Sequence, residues 1–295
     1  MAQKKSVVEG SEEMKLIPDF NMTPFSRTAW VSGTAKQTWE QVMQECAALV
    51  SELEIESVAA GQRPCSWQTI ARASLPDFAR RCAEKGLIVL PVRFVGAFSG
   101  FVHYTPEGDA SVYNIIARRL EDALRFREAF EKGDHEVQGE MLGFPKCCRE
   151  AFAANWKAGY FDPIWQSAIA GSREWIAGHN GVNLVSVFAH PFSNPLLRYI
   201  GLRVGFHIPH SFRCGETIAA GVERLKLAKD KGLAKILESL LSMPMRAELL
   251  HGILTVRTPI FYLINYSVPT EEKYIIEVSG DFIPKEGAWP VQAKK

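Results

Sequence analysis

The chain has 295 residues, 47% hydrophobic and 23% charged, with a formal net charge of +1. This is the balance of a globular protein with room for one large domain or two smaller ones. A charge so near zero excludes a strong field for nucleic acid or an anionic membrane surface. The expected partner is therefore a small-molecule substrate, with no nucleic acid and no membrane.

Residues 1–30 are polar and aperiodic and read as a flexible N-terminal arm. Met1 to Lys15 has no apolar core of a secretory signal. The cysteines, 6 in all, are too few for a disulfide scaffold in a chain of this length. Together these point to a reduced, cytoplasmic setting, where clustered cysteines are metal-binding or catalytic.

Residues 31–140 form an N-terminal α/β part. Trp39, Val42, Cys46, Leu49 and Leu53 recur at helical spacing and predict an amphipathic helix over 34–54. A second helix opens at Ser74 and closes at Gly86. Cys46 and Cys82 lie inside these helices and read as packing residues, since an unpaired cysteine behaves as a small hydrophobe. Strands are predicted over 87–92 and 100–105. The apolar stretch that spans them is broken by Pro91, Arg93 and Ser99, which suits two short strands and not a membrane span. A long helix is predicted over 111–132, ended by Gly133.

Residues 141–295 form a Cys-motif domain. A helix opens at Cys147-Cys148 and reaches about Trp156, followed by an aromatic stretch with Tyr160, Phe161, Trp165 and Trp175. Strands are expected over 183–189 and 202–208, and helices over 214–231 and 233–241. A terminal β-hairpin has arms 254–266 and 273–278, with Pro259 marking an edge or bulge. No βαβ rhythm is present, so the expected class is mixed α/β (α+β), with helices packed on a small mixed sheet and a C-terminal β-hairpin.

The chemistry lies in three thiols. Pro145 suits a first helical turn just before Cys147 and Cys148, and Ser211 suits an N-cap that places Cys214 at the third helical position. At helix N-termini the exposed N–H groups and the dipole favour thiolate, the form that ligates metals and attacks electrophiles. Adjacent cysteines suit a multinuclear centre better than the Cys-x-x-Cys gap usual for one tetrahedral ion. The expected cofactor is thus an iron–sulfur cluster on Cys147, Cys148 and Cys214, with zinc or mononuclear iron as alternatives. His210 is the expected further ligand or acid–base group. His207 and Arg213 join it as candidate catalytic residues, Arg213 because a guanidinium beside Cys214 favours thiolate or holds an anion. The aromatics from Tyr160 to Trp175 are candidate walls of the pocket.

Phosphate-loop, dinucleotide-fold, zincin and nucleophile-elbow motifs are all absent. Three readings stay open. One is an iron–sulfur or iron enzyme doing Lewis-acid or sulfur-transfer chemistry on a small molecule. Another is a non-catalytic zinc- or cluster-binding structural or interaction protein. The third is a metal-free thiol enzyme with Cys148 as nucleophile.

Phe144-Pro-Lys-Cys-Cys, followed by His207-Ile-Pro-His-Ser-Phe-Arg-Cys, resembles an uncharacterised prokaryotic family with an F-P-x-C-C motif and a later H-x-P-[CH]-S-x-x-C. Asn194-Pro-Leu-Leu-Arg, His251-Gly-Ile and Arg257-Thr-Pro are similar to that group as well, so the resemblance spans 141–280. It implies that other members often carry cysteine at the His210 position, an exchange that fits a metal ligand. It implies no substrate.

Overall fold

The computed structural model describes residues 26–95, 111–159, 162–172, 174–179, 181–267 and 270–279. The expected strand over 100–105 and the pair Tyr160-Phe161 lie outside them.

In chain order the elements are β1 (Ser26–Trp30), α1 (Gly33–Ala59), β2 (Cys65–Ala71), α2 (Leu75–Ala83), β3 (Ile88–Val95) and β4 (Ser111–Ala117). Next come α3 (Leu120–Lys132), α4 (His135–Met141), α5 (Lys146–Ala158), α6 (Pro163–Gly171), β5 (Glu174–His179) and β6 (Val182–Phe188). The chain closes with α7 (Gly215–Lys226), α8 (Lys231–Leu241), β7 (Met245–Leu250), β8 (Ile253–Arg257), β9 (Phe261–Tyr266) and β10 (Lys273–Ser279). The class is mixed α/β, as the sequence predicts.

A 7-stranded sheet runs β1-β9-β8-β7-β10-β6-β5 and a 3-stranded sheet runs β2-β4-β3. In the larger sheet β10 pairs parallel with β6 and antiparallel with β7. β1, counted in the sequence with the N-terminal arm, is instead an edge strand on β9.

The largest core joins this sheet to α1, α6 and α8. Trp39, Cys46 and Leu53 of α1 meet Trp165 of α6, Leu237 and Leu240 of α8, and the inward residues Ala247, Val256, Leu263 and Ile276. Ser32 caps α1 by accepting the Ala35 N–H at 3.0 Å. Trp165 is fully buried and packs edge-on against Tyr274, so it belongs to the core and not to a pocket wall.

The smaller sheet is covered on both faces. Ile115 and Ala117 pack with Phe126 of α3 and Met141 of α4, while Ile116 packs with Val58 of α1 and Phe78 and Cys82 of α2. Here the sequence reading needs correction: 111–117 is a strand and the helix begins only at Leu120. A strand buried on two faces carries a continuous apolar run in place of alternation, and that run joins smoothly to a helical pattern. Gly133 does end the helix, in the left-handed conformation (φ 68°).

Two further corrections concern the C-terminal half. The hairpin is β8–β9, because Thr258 turns the chain. Its hydroxyl accepts the N–H groups of Ile260 and Phe261 at 3.2 and 3.0 Å, which puts Pro259 in the turn. The expected second arm, β10, crosses to the sheet centre between β7 and β6. Residues 202–208 form no strand. Leu202, Val204 and Phe206 are buried, but the segment follows a left-handed Gly201 (φ 80°) and runs beneath α7 as irregular backbone. At Gly205 a Cβ would meet the Phe192 carbonyl at 2.9 Å and the Thr217 methyl at 3.0 Å, so the loop approaches α7 more closely than any side chain permits.

No helix among the described residues is long and apolar enough to cross a membrane.

Candidate metal centre

Two helix N-termini and the buried loop converge on one point. Pro145 is the N-cap of α5, so Cys147 and Cys148 are its second and third residues. Cys214 is itself the N-cap of α7 and accepts the Thr217 N–H at 3.4 Å. This corrects the sequence expectation that Ser211 caps the helix. The Ser211 carbonyl instead accepts the Cys214 N–H at 3.0 Å, closing a turn one step earlier. Phe206 fixes the loop from below: the guanidinium carbons of Arg63 and Arg224 lie 4.4 and 4.3 Å from its ring centroid. Arg224 also donates to the Val204 carbonyl at 3.2 Å.

The result is a four-donor cluster. Cys147 Sγ lies 4.0 Å from Cys148 Sγ and 3.8 Å from Cys214 Sγ, and Cys148 and Cys214 are 3.6 Å apart. His210 Nδ1 is 3.5 Å from Cys148 Sγ. All four donor atoms lie within 4.8 Å of one another. Among the described residues this is the one such group of histidine, cysteine or carboxylate side chains. A group of this kind can hold a metal ion. Cys148 and Cys214 are buried, whereas Cys147 and His210 are partly exposed.

The surroundings suit sulfur ligands. The His210 N–H points to Cys148 Sγ at 3.4 Å. Thr217 Oγ1 lies 3.6 Å from Cys148 Sγ and 3.0 Å from His207 Nε2. His207 is buried and its Nδ1 has no partner. Burial, with Arg224 and Arg198 adding to it, pulls its pKa down to about 3, so the ring is neutral. A neutral ring satisfies this arrangement best as the Nε2–H tautomer. Nε2 then donates to Thr217, whose hydroxyl donates to Cys148, and Nδ1 is left as a bare acceptor, the cheaper group to leave unpaired. His207 is thus a supporting group behind the cluster, not a fourth donor.

Without an ion the three thiols differ, contrary to the sequence expectation of uniform thiolate. Burial pushes Cys148 up to about 12, and burial with the Cys214 sulfur raises Cys147. Burial opposes ionisation of Cys214 too, yet hydrogen bonds from Thr217 and the neighbouring thiols hold its pKa below the ordinary thiol value. Of the thiols in the cluster, Cys214 is therefore the readiest to ionise, and not Cys148.

Other expected residues lie apart from this chemistry. The Arg213 side chain is exposed; its N–H donates to Ser211 Oγ at 3.2 Å within the turn. Arg149, which follows Cys148 in the chain, pairs with Glu136 and donates to the Phe144 carbonyl at 3.2 Å. Cys46 and Cys82 are in the cores, as expected.

A cavity of about 390 Å³ opens beside the cluster, with Cys148, His207 and His210 in its wall. Its aromatic lining includes Phe144, Phe152 and Trp156. The sequence reading placed the walls at 160–175 and missed this set. Phe152 and Trp156 are four apart on α5, a helical-face signal that was present. Thr217 carries no such signal.

No family model, no curated protein and no solved structure matches the chain.

Proposed function

We propose that this is a metalloprotein holding one tetrahedral ion on Cys147, Cys148, Cys214 and His210, set in the wall of a small-molecule cavity. The observation that carries the reading is the donor spacing. An ion with bonds of about 2.3 Å to sulfur and about 2.0 Å to nitrogen sets tetrahedral ligands about 3.8 Å (S···S) and 3.5 Å (S···N) apart. The sulfur separations are 3.6 to 4.0 Å and the Cys148–His210 sulfur–nitrogen one is 3.5 Å, with all four donors within 4.8 Å. In a [4Fe–4S] cluster each thiolate takes its own iron, and in a [2Fe–2S] cluster an iron takes only two protein ligands, so neither brings three thiolate sulfurs into one mutual contact. The spacing therefore favours a single ion over the iron–sulfur cluster expected from adjacent cysteines, and the donor types favour zinc, with mononuclear iron next. Three thiolates and an imidazole are the donor set of a zinc site. When bound, such an ion supplies Lewis-acid polarisation. His210, partly exposed and facing the cavity, is the ligand placed to give way to a substrate atom.

A structural zinc site is the second reading, favoured because three thiolates and a histidine leave no open position. Elemental analysis of anaerobically purified protein tests the proposal. One zinc or iron per chain, with intense thiolate-to-cobalt bands after cobalt exchange, is the expected result. Several irons with sulfide, or no metal in protein whose thiols are reduced, would overturn it. Chelation separates the two readings: a structural ion takes the fold with it, whereas a cavity ion leaves the large sheet cooperative.

A further inference from the structure

We infer that the cavity binds a small, flat, apolar-bodied molecule carrying one anionic group, with Arg198 taking the anion and Phe152 and Trp156 holding the body. The inference rests on the reading of the cavity as a ligand site given above.

Arg198 opens the short 3₁₀ turn Arg198–Ile200 and lines the cavity. It is half-buried, and among the described residues its guanidinium makes no hydrogen bond or ion pair. Burial, with Arg203 adding to it, holds its pKa below the ordinary guanidinium range. A desolvated guanidinium without a carboxylate is costly unless something else supplies the counter-charge. The other charged residues of the lining do not. Arg149 and Lys157 are cationic, and the single carboxylate, Glu136, is already paired with Arg149. Three cations against one anion leave the lining at +2. A divalent ion on three thiolates contributes −1, so the surroundings keep a positive excess.

The mouth is aromatic. Phe152 and Trp156 stack with centroids 6.2 Å apart and planes at 19°, and His135 meets each ring edge-on at 5.9 and 6.1 Å. Trp156 is 60% exposed and Phe152 42%. Two large parallel rings left open to solvent on one helix face are the wall expected for a flat guest. The volume lies within the range of about 300–1,000 Å³ usual for small-molecule sites.

The test is calorimetric titration of the full chain with benzoate, 2-naphthoate and the neutral 2-naphthamide, with metal content measured on the same samples. The expected result is saturable binding of 2-naphthoate, about tenfold or more tighter than 2-naphthamide, the scale of a charge-assisted hydrogen bond. Arg198→Gln should abolish that preference. Trp156→Ala, a change at an exposed position, should weaken both naphthyl ligands several-fold and keep the preference. If Arg198→Gln fails to fold by circular dichroism, Arg198→Lys should retain the preference only in part, because the ammonium lacks the planar fork. Equal binding of acid and amide by the wild type, no saturation by either carboxylate up to about 10 mM, or a preference that survives Arg198→Gln would each overturn the assignment. Carboxylate selectivity in a chain free of metal would uphold this inference and sink the ion. A loaded chain indifferent to the charge would do the reverse.

Discussion

His207 is bonded to Thr217, and its Nε2 lies 3.0 Å from the threonine hydroxyl. The same hydroxyl reaches Cys148 Sγ at 3.6 Å, and the Thr217 N–H reaches Cys214 Sγ at 3.4 Å. One residue therefore serves two sulfurs and anchors a buried histidine. Thr217→Val keeps the shape and the N–H but removes the hydroxyl. It leaves the His207 donor and the Cys148 sulfur without their shared partner. Metal affinity should fall by about 10- to 100-fold, the usual scale for losing a group that supports a ligand. Thr217→Ser should retain most of it. Competition against a chromophoric chelator measures both; equal affinity of the valine variant and the wild type would show that the hydroxyl is idle.

The cluster was legible in the sequence because cysteine is scarce and its neighbours are helix-starting residues. The set of donor residues followed, but the residues themselves carry no signal for nuclearity. Whether adjacent cysteines share one ion depends on where the loop over 202–214 carries His210 and Cys214, and no local pattern encodes that path. The same loop was misread as a strand, since its apolar residues are buried under α7 without a ladder, and Gly205 is there for close approach. Residues 111–117 were misread because the two isoleucines, Ile115 and Ile116, face two different cores. Arg198 stands in the sequence only as the end of Asn194-Pro-Leu-Leu-Arg, with no role attached: its interest lies in the side-chain partner it lacks.

Cys46 and Cys82 should behave as packing groups. Both are buried, and burial pushes the Cys46 thiol up to about 12. Replacing either with Ala should cost on the order of 1 kcal/mol and leave metal content unchanged. Denaturant melts and elemental analysis check the two halves. Loss of metal from either folded variant would mean that the ligands are misassigned.

Acid should weaken the large sheet through Glu248. Burial raises its pKa, but hydrogen bonds from Lys273 and Arg246 outweigh this and hold the carboxyl below its ordinary 4.5. The Lys273 contact is 2.5 Å and the Arg246 contact 3.0 Å, tying β7 to the start of β10. A lowered folded-state pKa means the stabilisation is fully present above about 4.5 and is lost as pH falls through the folded value. Glu248→Gln should be less stable at neutral pH and show a shallower loss of stability below about pH 4.5. Parallel acid limbs for the two proteins, in melts taken across that window, would refute the assignment.

His210 decides what kind of site this is. Its Nδ1 is 3.5 Å from Cys148 Sγ, its N–H supports the same sulfur, and its ring lines the cavity. As a ligand it is replaceable by another ligand, so His210→Cys should retain one ion per chain, with a cobalt spectrum shifted by the added thiolate. His210→Ala should keep the three sulfurs, lower affinity and open a position for water or an added anion. Added imidazole or azide should then perturb the cobalt bands of the alanine variant and leave the wild type unaltered. If His210 is only an acid–base group, both variants should hold the ion with wild-type affinity and spectrum. That outcome would reduce the centre to the three cysteines and leave its fourth ligand unassigned.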